Sequence, residues 1–472
     1  MPKVSSNFVC SQCGYDSLQW FGKCPGCGEW NTLVEFRESK ASKNKSSVNR
    51  NVPVTPVKLS EIKSFSVQRF SSQIGELDRV LGGGFVPGSV ILLAGDPGIG
   101  KSTLLLQAAA SIGVGWVMGS ESSPKTHNSF PSPVYYISGE ESPEQIKVRA
   151  ERLGLKNPSI LFLNETDVDE IIRVVGANVV GYVESLTTQN SPSLLIIDSI
   201  QTLYSSDFEG TPGSVSQVKG CSQKLIELAK KKGITTILVG HVTKEGEVAG
   251  PMMLSHMVDV VLFMEGERFA DLRMLRGLKN RFGPTDEVGV FRMTNDGMEA
   301  VENPSEIFLT NSGGTDGQIG SVIVCAMEGT RPILLEIQAL VTQSALAIPR
   351  RVVSGIDYNR VVLLSAVLQK TAGLSLYNQD IFVKVAGGFK IAEPAADLAV
   401  CLAIASSYSN KPVPSKVCVF GEVGLLGEIR TVSNEAKRTK EAKRLGFSKV
   451  LNSGEVGNIR EAIKILKVED RE

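Results

Sequence analysis

Residues 90–110 read VILLAGDPGIGKSTLLLQAAA, and this stretch decides the fold of the region around it. The apolar run Val90–Ala94 predicts a strand, residues 95–103 form a glycine-rich loop, and the leucines and alanines that follow predict a helix. Strand, glycine loop and helix in this order are the context that a phosphate-binding loop requires. An ordinary glycine-rich turn is the alternative, but the complete motif spacing and both flanks favour a phosphate site.

The residues of this loop indicate how a nucleotide would be held. Glycines let backbone N–H groups turn toward phosphates, and the start of the helix adds unpaired donors and the positive end of its dipole. Lys101 can reach the β- and γ-phosphates of ATP, and the Ser102 hydroxyl can ligate Mg²⁺. We therefore expect ATP to be bound by nine consecutive residues, Gly95, Asp96, Pro97, Gly98, Ile99, Gly100, Lys101, Ser102 and Thr103.

Short apolar runs alternate with helical patterns from residue 59 to about residue 300. The runs predicted as strands are Val90–Ala94, Val134–Ser138, Ser159–Leu163, Leu194–Asp198, Thr236–Gly240 and Val258–Met264. The segments Pro143–Leu153 and Val218–Lys232 are predicted as helices. This alternation predicts an α/β fold with a mainly parallel sheet covered on both faces. The Ser-, Gly- and Pro-rich stretch Gly115–Pro133 is interpreted as a surface insertion in the first crossover.

Three of the predicted strands lead into polar residues that suit ATP hydrolysis. Asp198 ends an apolar strand and is expected to hold Mg²⁺ together with Ser102. Glu140 follows another strand and can orient and deprotonate the attacking water, whereas Glu141 is also explained as the start of a capped helix. His241 follows a third strand, where a structural role and a sensor of the γ-phosphate are about equally supported.

Two cations lie beside a turn in residues 278–284, which read LKNRFGP. Lys279 and Arg281 are two positions apart, so on an extended segment they project to the same side. They can reach the phosphates of DNA or of a nucleotide bound to a neighbouring subunit. A cation supplied in trans would make hydrolysis depend on assembly, and we expect both residues to contribute to catalysis.

Four of the eight cysteines form two CxxC pairs near the N-terminus: Cys10, Cys13, Cys24 and Cys27. Two such pairs make a closed tetrahedral cage of four thiolates, which is the arrangement of structural Zn²⁺; a redox or disulfide pair is the alternative. The aromatic residues expected to form the small core of this module are Trp20, Phe21 and Trp30. The module's role stays open between docking a protein, contacting DNA and capping the chain. The remaining cysteines are expected to be buried thiols: Cys221, Cys325, Cys401 and Cys418.

The composition is that of a globular protein with several domains. The chain has 472 residues, and its 50 basic residues equal its 50 acidic ones, so polyanion binding must come from local patches rather than from an overall field. No apolar stretch approaches membrane-spanning length, and no secretory or transit leader is visible. We expect no membrane partner and a cytoplasmic location, although a processed organellar protein would look the same.

Changes of pattern divide the chain into four predicted segments. These are a zinc module at 1–36, a linker at 37–58, the α/β domain at 59–300 and an α+β domain at 301–472. From Ser39 to Ser60 the chain carries five cations and no acid, which can touch a nucleic-acid backbone but more often keeps a linker solvated. In the last segment the predicted strands are Val322–Met327, Pro332–Leu340 and Val417–Gly421, and the predicted helices are Asn359–Ala372, Pro394–Ser406 and Asn434–Leu445.

These motifs, taken in order, resemble the bacterial RadA family, also called Sms, over essentially the whole chain. The features that carry the resemblance are the four-cysteine module, GDPGIGKST at 95–103, GEES at 139–142, LLIIDSIQT at 194–202 and KNRFG at 279–283. The resemblance implies a RecA-like ATPase core, a homohexameric ring and DNA-stimulated ATP hydrolysis. It also implies branch migration of branched recombination intermediates with a RecA-type recombinase, and binding of single-stranded DNA. By similarity to DnaB-type helicases, Lys279 and Arg281 would act on the nucleotide of the next subunit.

The C-terminal segment resembles the proteolytic domain of Lon in two stretches, EPAAD at 393–397 and GEVGLLG at 421–427. Active Lon proteases have a nucleophilic serine directly after the matching proline, where this chain has Ala395, and the lysine of the dyad falls near Ala436. A Ser–Lys dyad needs both the hydroxyl and the amine, so we expect no protease activity. The domain is expected instead to support the ring and line a DNA channel.

DNA contacts are expected from cations on loops, because no long basic tract exists. The candidates are Lys244, Lys279 and Arg281 in the core, with Arg350, Arg351, Lys437 and Arg438 as weaker ones. Two other functions compete with a DNA-dependent motor. An ATP-dependent protease is opposed by Ala395, and a regulatory ATPase that binds proteins through the zinc module shares every nucleotide motif.

Overall fold

The computed structural model describes residues 7–10, 15–17, 19–36, 69–115, 133–155, 160–178, 194–241, 251–266, 271–309 and 317–464. Its strands are β1 Asn7–Cys10, β2 Asp16–Ser17, β3 Leu33–Phe36, β4 Val90–Gly95, β5 Val134–Ser138, β6 Ile160–Leu163, β7 Leu194–Asp198, β8 Thr235–His241, β9 Val260–Glu265, β10 Leu272–Asn280, β11 Val288–Thr294, β12 Gly297–Ala300, β13 Ser321–Glu328, β14 Arg331–Gln343, β15 Arg351–Ser354, β16 Gln379–Val385, β17 Val417–Val419, β18 Glu422–Val423, β19 Ile429–Arg430 and β20 Lys449–Leu451. Its helices are α1 Gly75–Leu81, α2 Lys101–Gly115, α3 Pro143–Arg152, α4 Val168–Asn178, α5 Val215–Lys232, α6 Pro304–Leu309, α7 Tyr358–Val367, α8 Asp397–Ser409, α9 Glu435–Arg444 and α10 Ile459–Lys464.

Contacts between residues divide the chain into two compact units. Unit 1 comprises Met1–Glu265, Leu275–Thr285 and Met293–Met298, and unit 2 comprises Gly266–Met274, Asp286–Arg292 and Glu299–Glu472. The predicted linker at 37–58 lies outside the described residues, as does nearly all of the predicted insertion at 115–133. Within the described residues, no helix combines the length and the apolar character that a bilayer crossing needs.

The central sheet is mainly parallel, as the alternating pattern predicts. Its nine strands lie in the order β12-β11-β10-β9-β4-β8-β7-β5-β6, and the six from β9 to β6 run parallel to one another. Every residue of β4, β5 and β7 is buried, because helices cover both faces of such a sheet. Burial on both faces also explains why these strands appear in the sequence as continuous apolar runs. The structure places β5 and β7 at the predicted bounds, and β4 is one residue longer than predicted.

The N-terminal ribbon is a small three-stranded sheet in the order β2-β1-β3. Its interior consists of Cys10, Cys24 and Leu33, with Phe8 packed against them. The prediction that three aromatic residues form this core is wrong, since Trp20, Phe21 and Trp30 are all exposed. A ribbon this small has no interior wide enough for indole rings, and the cysteine side chains fill the space that exists.

Unit 2 contains a six-stranded mixed sheet in the order β15-β16-β14-β13-β17-β20. β13, β14 and β16 pair antiparallel in sequence, whereas β17 runs parallel to both β13 and β20. Helix α8 packs on β13 and β14 and is buried from Asp397 to Ser406. The predicted α+β pattern is therefore present. Cys325, Cys401 and Cys418 are buried here, as Cys221 is in unit 1, and burial raises the pKa of each thiol.

Candidate functional site

The carboxyl ends of four parallel strands form one edge of the central sheet, which we call the phosphate edge. Gly95 at the end of β4 pairs with His241 at the end of β8, and Ser138 at the end of β5 pairs with Asp198 at the end of β7. Ligands of open parallel sheets bind at this edge, next to the strand where the chain order reverses. The structure thus brings the loop at 95–103 together with Glu140, Asp198 and His241.

The glycine loop after β4 is shaped for an anion. Gly98 has φ +77°, a conformation that favours glycine, and a β carbon there would meet nothing within 4 Å. Gly95 is needed for close approach, because a β carbon there would collide with the carbonyl oxygen of Met264. Helix α2 begins at Lys101, and its first turn carries no acidic residue. Backbone donors and the helix dipole therefore face the loop without a competing carboxylate.

Lys101 is buried and points back into its own loop. Its Nζ donates hydrogen bonds to the carbonyl oxygens of Gly95 at 2.7 Å and Asp96 at 2.9 Å, and lies 3.2 Å from Nδ1 of His241. Burial lowers the pKa of Lys101 to about 8, against the opposing effect of Asp198 and other carboxylates nearby. A buried ammonium in a glycine loop suits the phosphates of a nucleotide. Their negative charge would balance the ammonium more fully than the partial charges of the two carbonyl oxygens do.

Glu140 is held in its ionised form by its neighbours. The Ser199 hydroxyl donates to Oε1 at 2.6 Å, and Nε2 of His241 lies 3.5 Å from the same oxygen. These contacts, with His241 the strongest, lower the pKa of Glu140 to about 2 against the opposing effect of burial. Glu140, His241 and Lys101 therefore form one continuous cluster at the phosphate edge.

Glu141 has a different position from Glu140. It forms an ion pair with Arg149 of α3, and its backbone N–H donates to the hydroxyl of Ser138 at 3.0 Å. Ser142 caps α3 with a complete capping box to Gln145, and Pro143 is the first helical residue. Glu141 therefore immediately precedes a capped helix, in agreement with the structural one of the two roles considered for it from the sequence.

Asp198 has a partner that the sequence did not reveal. The hydroxyl of Tyr136, on the neighbouring strand β5, donates to Oδ2 of Asp198 at 2.7 Å. Tyr136 is fully buried, and burial together with Asp198 raises its pKa well above the usual value, so it remains a donor. The sequence signal for this contact was a tyrosine hydroxyl within an otherwise apolar strand. It was not enough to predict the contact, because the register between the strands cannot be read from the sequence.

The residues present suit Mg²⁺ beside the phosphates. A hydroxyl from Ser102 in the first turn of α2 and a carboxylate oxygen from Asp198 are the hard oxygen ligands that Mg²⁺ prefers, either directly or through water. Asp198 retains one carboxylate oxygen that accepts no hydrogen bond from Tyr136. These two side chains would hold the ion, and the ion would neutralise charge on the phosphates.

Lys279 and Arg281 lie at the other end of the central strands, which we call the opposite edge. The backbone N–H of Arg281 donates to the carbonyl oxygen of Asp259. The backbone N–H of Asp259 in turn donates to the carbonyl oxygen of Val90, and the backbone N–H of Val90 donates to the carboxylate of Asp259. Val90 begins β4, and Gly95 ends it five residues later. At about 3.3 Å per residue, the strand separates the two edges by about 17 Å. The structure therefore does not bring these cations to the glycine loop of their own chain.

Each of the two cations already has partners at the opposite edge. Nζ of Lys279 donates to the carbonyl oxygens of Ser255 at 2.7 Å and Val258 at 2.8 Å. Burial and the nearby Arg281 lower the pKa of Lys279. Arg281 is more exposed, with 56% of its side chain accessible, and its Nη1 lies 3.3 Å from Oδ1 of Asp259.

Asp259 is a buried carboxylate that the sequence analysis missed. Its Oδ2 accepts the backbone N–H of Val90 at 3.0 Å and also pairs with Nζ of Lys230, on α5. Arg281 is thus a second cation on a carboxylate that already has one. No sequence pattern pointed to Asp259, because its partners are separated from it by up to 169 positions.

The cysteine cluster fits a structural zinc ion. The sulfur atoms of Cys10, Cys24 and Cys27 lie within 4.8 Å of one another, and those of Cys10 and Cys27 are 3.7 Å apart. Sulfur ligands about 2.3 Å from Zn²⁺ in a tetrahedron are about 3.8 Å from each other, so the spacing is right for a shared ion. Cys13, the fourth predicted ligand, lies outside the described residues.

The stretch of unit 2 that was compared with Lon in the sequence has an ion pair between the buried Arg438 and the partly buried Glu393. Ala395 is buried, and Arg438 donates to the Glu393 carboxylate at 2.6 and 2.8 Å and to the carbonyl oxygen of Cys325 at 2.7 Å. The expectation that Arg438 contacts DNA is wrong, because its side chain is fully buried. Ala436 is exposed and offers no amine. Neither the hydroxyl nor the amine of a dyad is present at these positions.

A buried carboxylate, that of Asp397, lies in the same stretch. Burial raises the pKa of Asp397 to about 7, although Arg360, with Nε 3.4 Å from Oδ1, opposes the effect.

The other predicted DNA cations are placed as follows. Arg350 pairs with Asp380, Arg351 donates to the carbonyl oxygens of Gln379 and Leu376, and Lys437 is exposed. Lys244 lies outside the described residues.

Comparison with known proteins agrees with these sites. Residues 56–247 match the family described as an AAA domain, and residues 8–35 match the family described as a rubredoxin metal binding domain. With the parallel sheet, the glycine loop and the cysteine cluster, these matches define a P-loop ATPase with a RecA-like core and an N-terminal zinc ribbon. Nucleotide binding and zinc binding follow from these two domains.

Full-length relatives identify the family. The chain is 49% identical to the DNA repair protein RadA of Bacillus subtilis, in an alignment that covers 96% of this chain and 93% of the relative. It is 45% identical to RadA of Halalkalibacterium halodurans (96% and 93% covered) and 46% identical to RadA of Listeria monocytogenes (95% and 92% covered). The chain belongs to the bacterial RadA family. Two solved structures match about half of it, a KaiC-like protein of Pyrococcus horikoshii (19% identity, TM-score 0.36) and the RadB recombinase (24% identity, TM-score 0.34).

Proposed function

We propose that the chain is a DNA-dependent ATPase of recombination and repair, which moves branched recombination intermediates by branch migration together with a RecA-type recombinase. One observation carries the proposal: the groups for hydrolysis meet at the phosphate edge, whereas Lys279 and Arg281 lie about 17 Å away at the opposite edge. Cations at this edge do not reach the phosphates bound by their own chain, and in the proposal they complete the nucleotide site of a neighbouring subunit. Hydrolysis would then depend on assembly, as in ring-shaped motors.

The roles of the residues follow from their contacts. The backbone N–H groups of the glycine loop, except at Pro97, and the ammonium of Lys101 would bind the phosphates, and Ser102 and Asp198 would hold Mg²⁺. Glu140 stays ionised at every physiological pH, so it accepts a hydrogen bond from the attacking water and orients it. A pKa of about 2 makes it a weak proton acceptor, which favours orientation over proton abstraction. His241, in contact with both Lys101 and Glu140, is the group that would sense the γ-phosphate.

The finer assembly is part of the proposal. A homohexameric ring would give each nucleotide a neighbour's Arg281 and would enclose single-stranded DNA, with affinity built from several modest contacts. The name of the relatives, DNA repair protein RadA, supports a role of this chain in the repair of damaged DNA. In a bacterium this takes place in the cytoplasm. Unit 2 would support the ring and is not a protease, because the dyad positions are Ala395 and Ala436.

The experiment that tests the proposal is ATP hydrolysis by the full chain with and without single-stranded DNA. DNA is expected to raise the rate, and the stimulation should fall steeply with salt because phosphate contacts release counterions. Lys101→Ala should abolish hydrolysis and serves as the background control. A rate that does not respond to DNA at low salt would contradict the motor, and branch-migration assays then separate a motor from a regulatory ATPase.

A further inference from the structure

The turn at 279–283 packs on the C-terminal end of helix α1. Strand β10 ends one residue before Arg281, so this arginine lies just past the regular hydrogen bonding of the sheet. Helix α1 ends at Leu81, and Gly82 follows it. A β carbon on Gly82 would lie 3.5 Å from Cα of Gly283, so the backbone after the helix and the backbone of the turn are in direct contact. The position of the turn therefore depends on α1 as well as on β10.

Arg69 connects the end of the helix to the turn. Its Nη1 donates to the carbonyl oxygen of Leu81 at 2.8 Å, and its Nη2 donates to the carbonyl oxygen of Phe282. The carbonyl of Leu81 is one of the last four of α1, which have no partner inside the helix. A guanidinium is planar and its donors point in fixed directions, so this one side chain holds two backbone segments at a set spacing.

Asn280 makes the same connection from the side of the turn. Its Nδ2 donates to the carbonyl oxygen of Leu81 at 3.3 Å, and its Oδ1 accepts the backbone N–H of Phe282 at 2.9 Å. The carbonyl oxygen of Leu81 thus accepts hydrogen bonds from Arg69 and Asn280 together. Both chain neighbours of Arg281 are therefore held, one through its side chain and the other through its backbone.

The backbone next to Arg69 is itself well anchored. Phe70 exchanges two backbone hydrogen bonds with Phe85, at 3.0 and 2.8 Å, and the centres of the two rings are 5.3 Å apart. The backbone N–H of Ser72 donates to Oδ1 of Asp78, on α1, at 2.8 Å. The guanidinium of Arg69 therefore extends from a fixed segment, so its two donors are aimed before any partner binds.

We infer that Arg69 is a positioning residue for Arg281: it holds the turn at 279–283 against α1, so that the guanidinium of Arg281 reaches the nucleotide of the neighbouring subunit from one defined place. Arg281 has 56% of its side chain accessible, and its freedom lies in that side chain because the backbone on both sides is held. Misplacing a catalytic group by about 1 Å can cost about a hundredfold in rate. The inference rests on the proposed function, since it requires that Arg281 acts in trans.

The first experiment measures ATP hydrolysis by single variants of the full chain in the presence of single-stranded DNA. Arg69→Ala is expected to lower kcat by about a hundredfold and to leave KM for ATP within about twofold, because the phosphate edge is unchanged. Arg69→Lys keeps the charge without the planar fork and should lie between the two. Arg79→Ala is the matched control and should hydrolyse ATP like the parent, since Arg79 lies on α1 itself and pairs with Glu76 of the same helix.

The second experiment asks which side of the subunit interface Arg69 serves. Arg69→Ala keeps an intact glycine loop, so an equal mixture with Lys101→Ala, whose turn is intact, should regain activity at about one interface in four. A mixture of Arg69→Ala with Arg281→Ala should stay as low as Arg69→Ala alone, because neither chain presents an arginine in place. If Arg69 supported the loop of its own chain instead, the two mixtures would behave the other way round, and the positioning role would be overturned.

The mixture of Arg281→Ala with Lys101→Ala is the reference for an arginine supplied in trans. If this reference regains activity and the mixture of Arg69→Ala with Lys101→Ala does not, the role of Arg69 is overturned and the proposed function stands. If the reference itself stays inactive, the assignment in trans fails, and the positioning role fails with it. Should Arg69→Ala fold poorly and lose nucleotide binding, Asn280→Ala removes the shared contact from the side of the turn, and the same mixtures should give the same results.

Discussion

At the scale of single residues, Tyr136 sets the direction of the carboxylate at the end of the neighbouring strand. Its hydroxyl donates to one oxygen of Asp198, and its ring packs against Phe162, with the ring centres 5.5 Å apart. Both the ring and the hydroxyl are therefore fixed. A carboxylate held by one oxygen presents the other to the phosphate edge in a defined direction, so Tyr136 is a positioning residue for the proposed Mg²⁺ site.

Removing that hydroxyl gives the first prediction. Tyr136→Phe keeps the ring and should raise the Mg²⁺ concentration needed for half-maximal hydrolysis about tenfold, because Asp198 loses its orientation. Nucleotide binding measured without Mg²⁺ should not change. Tyr135→Phe is the matched control, since Tyr135 is equally buried but packs in the cluster on the other face of β5. Equal Mg²⁺ dependence in the two variants would remove the positioning role.

The residue scale also shows which positions could be placed from the sequence. Glu140, Asp198 and His241 could be located because each follows a run of buried apolar residues, and parallel strands end at a common edge. Tyr136 and Asp259 could not, because their roles depend on the order of strands in the sheet, which local pattern does not contain. The tryptophans of the ribbon were assigned to a core because size and apolarity do not reveal how much interior a module has.

At the scale of elements, α9 is fixed to its domain by a charge that the sequence presents as a surface cation. The sequence of α9, EAKRTKEAKR, reads as a solvated helix, yet Arg438 is fully buried against Glu393 and the carbonyl oxygen of Cys325 on β13. Glu393 is 45 positions away in the sequence. A charge pattern alone therefore could not distinguish Arg438 from the exposed Lys437 beside it.

Breaking this pair gives the second prediction. Arg438→Met removes the cation from Glu393, whose carboxylate is 22% exposed and still accepts a hydrogen bond from the backbone N–H of Met327, and should destabilise unit 2 by about 1–3 kcal/mol. The neighbouring substitution Lys437→Met should cost no more than about 0.5 kcal/mol, because that side chain is exposed. Hydrogen exchange at the amides of β13 and α9 measures the difference within the full chain. Adding Glu393→Gln to Arg438→Met should recover part of the loss, and no recovery would mean that packing rather than charge holds α9.

The element scale explains which parts of the fold were predictable. Strands such as β5 and β7 carry a strong signal because burial on both faces requires apolar residues at every position. Strands β10 and β16 mix buried and accessible residues and β15 has no buried residue, so their sequences resemble those of loops. Three helices of unit 2, α7, α8 and α9, were predicted within a few residues of their observed bounds, whereas the six-residue helices α6 and α10 were not predicted.

At the scale of the whole molecule, the separation of the two sheet edges requires that subunits cooperate if Arg281 is catalytic. In the proposed assembly, each chain gives its arginine to one neighbour and receives one from another. Such contacts are head-to-tail, and they close into a ring when the rotation between subunits permits. The cation would therefore be missing from any nucleotide site at an open end.

Mixing two inactive variants gives the third prediction. Arg281→Ala should bind nucleotide normally but lose hydrolysis by about a thousandfold or more, as expected for an arginine supplied in trans. Mixed with an equal amount of Lys101→Ala, it should regain activity at about one interface in four, where an intact loop meets an intact arginine. A mixture of Lys101→Ala and Ser102→Ala is the control and should stay inactive, since no loop is intact. Failure of the first mixture to regain any activity would remove the assignment in trans.

The pairing of Asp259 with Lys230 bears on how such an exchange of arginines could be reversible. If Arg281 moved to an adjoining subunit, the carboxylate of Asp259 would still be paired with the ammonium of Lys230 and would still accept the backbone N–H of Val90. The carboxylate of Asp259 would therefore not become an unpaired buried charge, so the states with Arg281 bound and released would differ little in free energy. In the proposed assembly, the guanidinium of Arg281 could therefore move to the neighbour's nucleotide and return to Asp259 in every catalytic cycle.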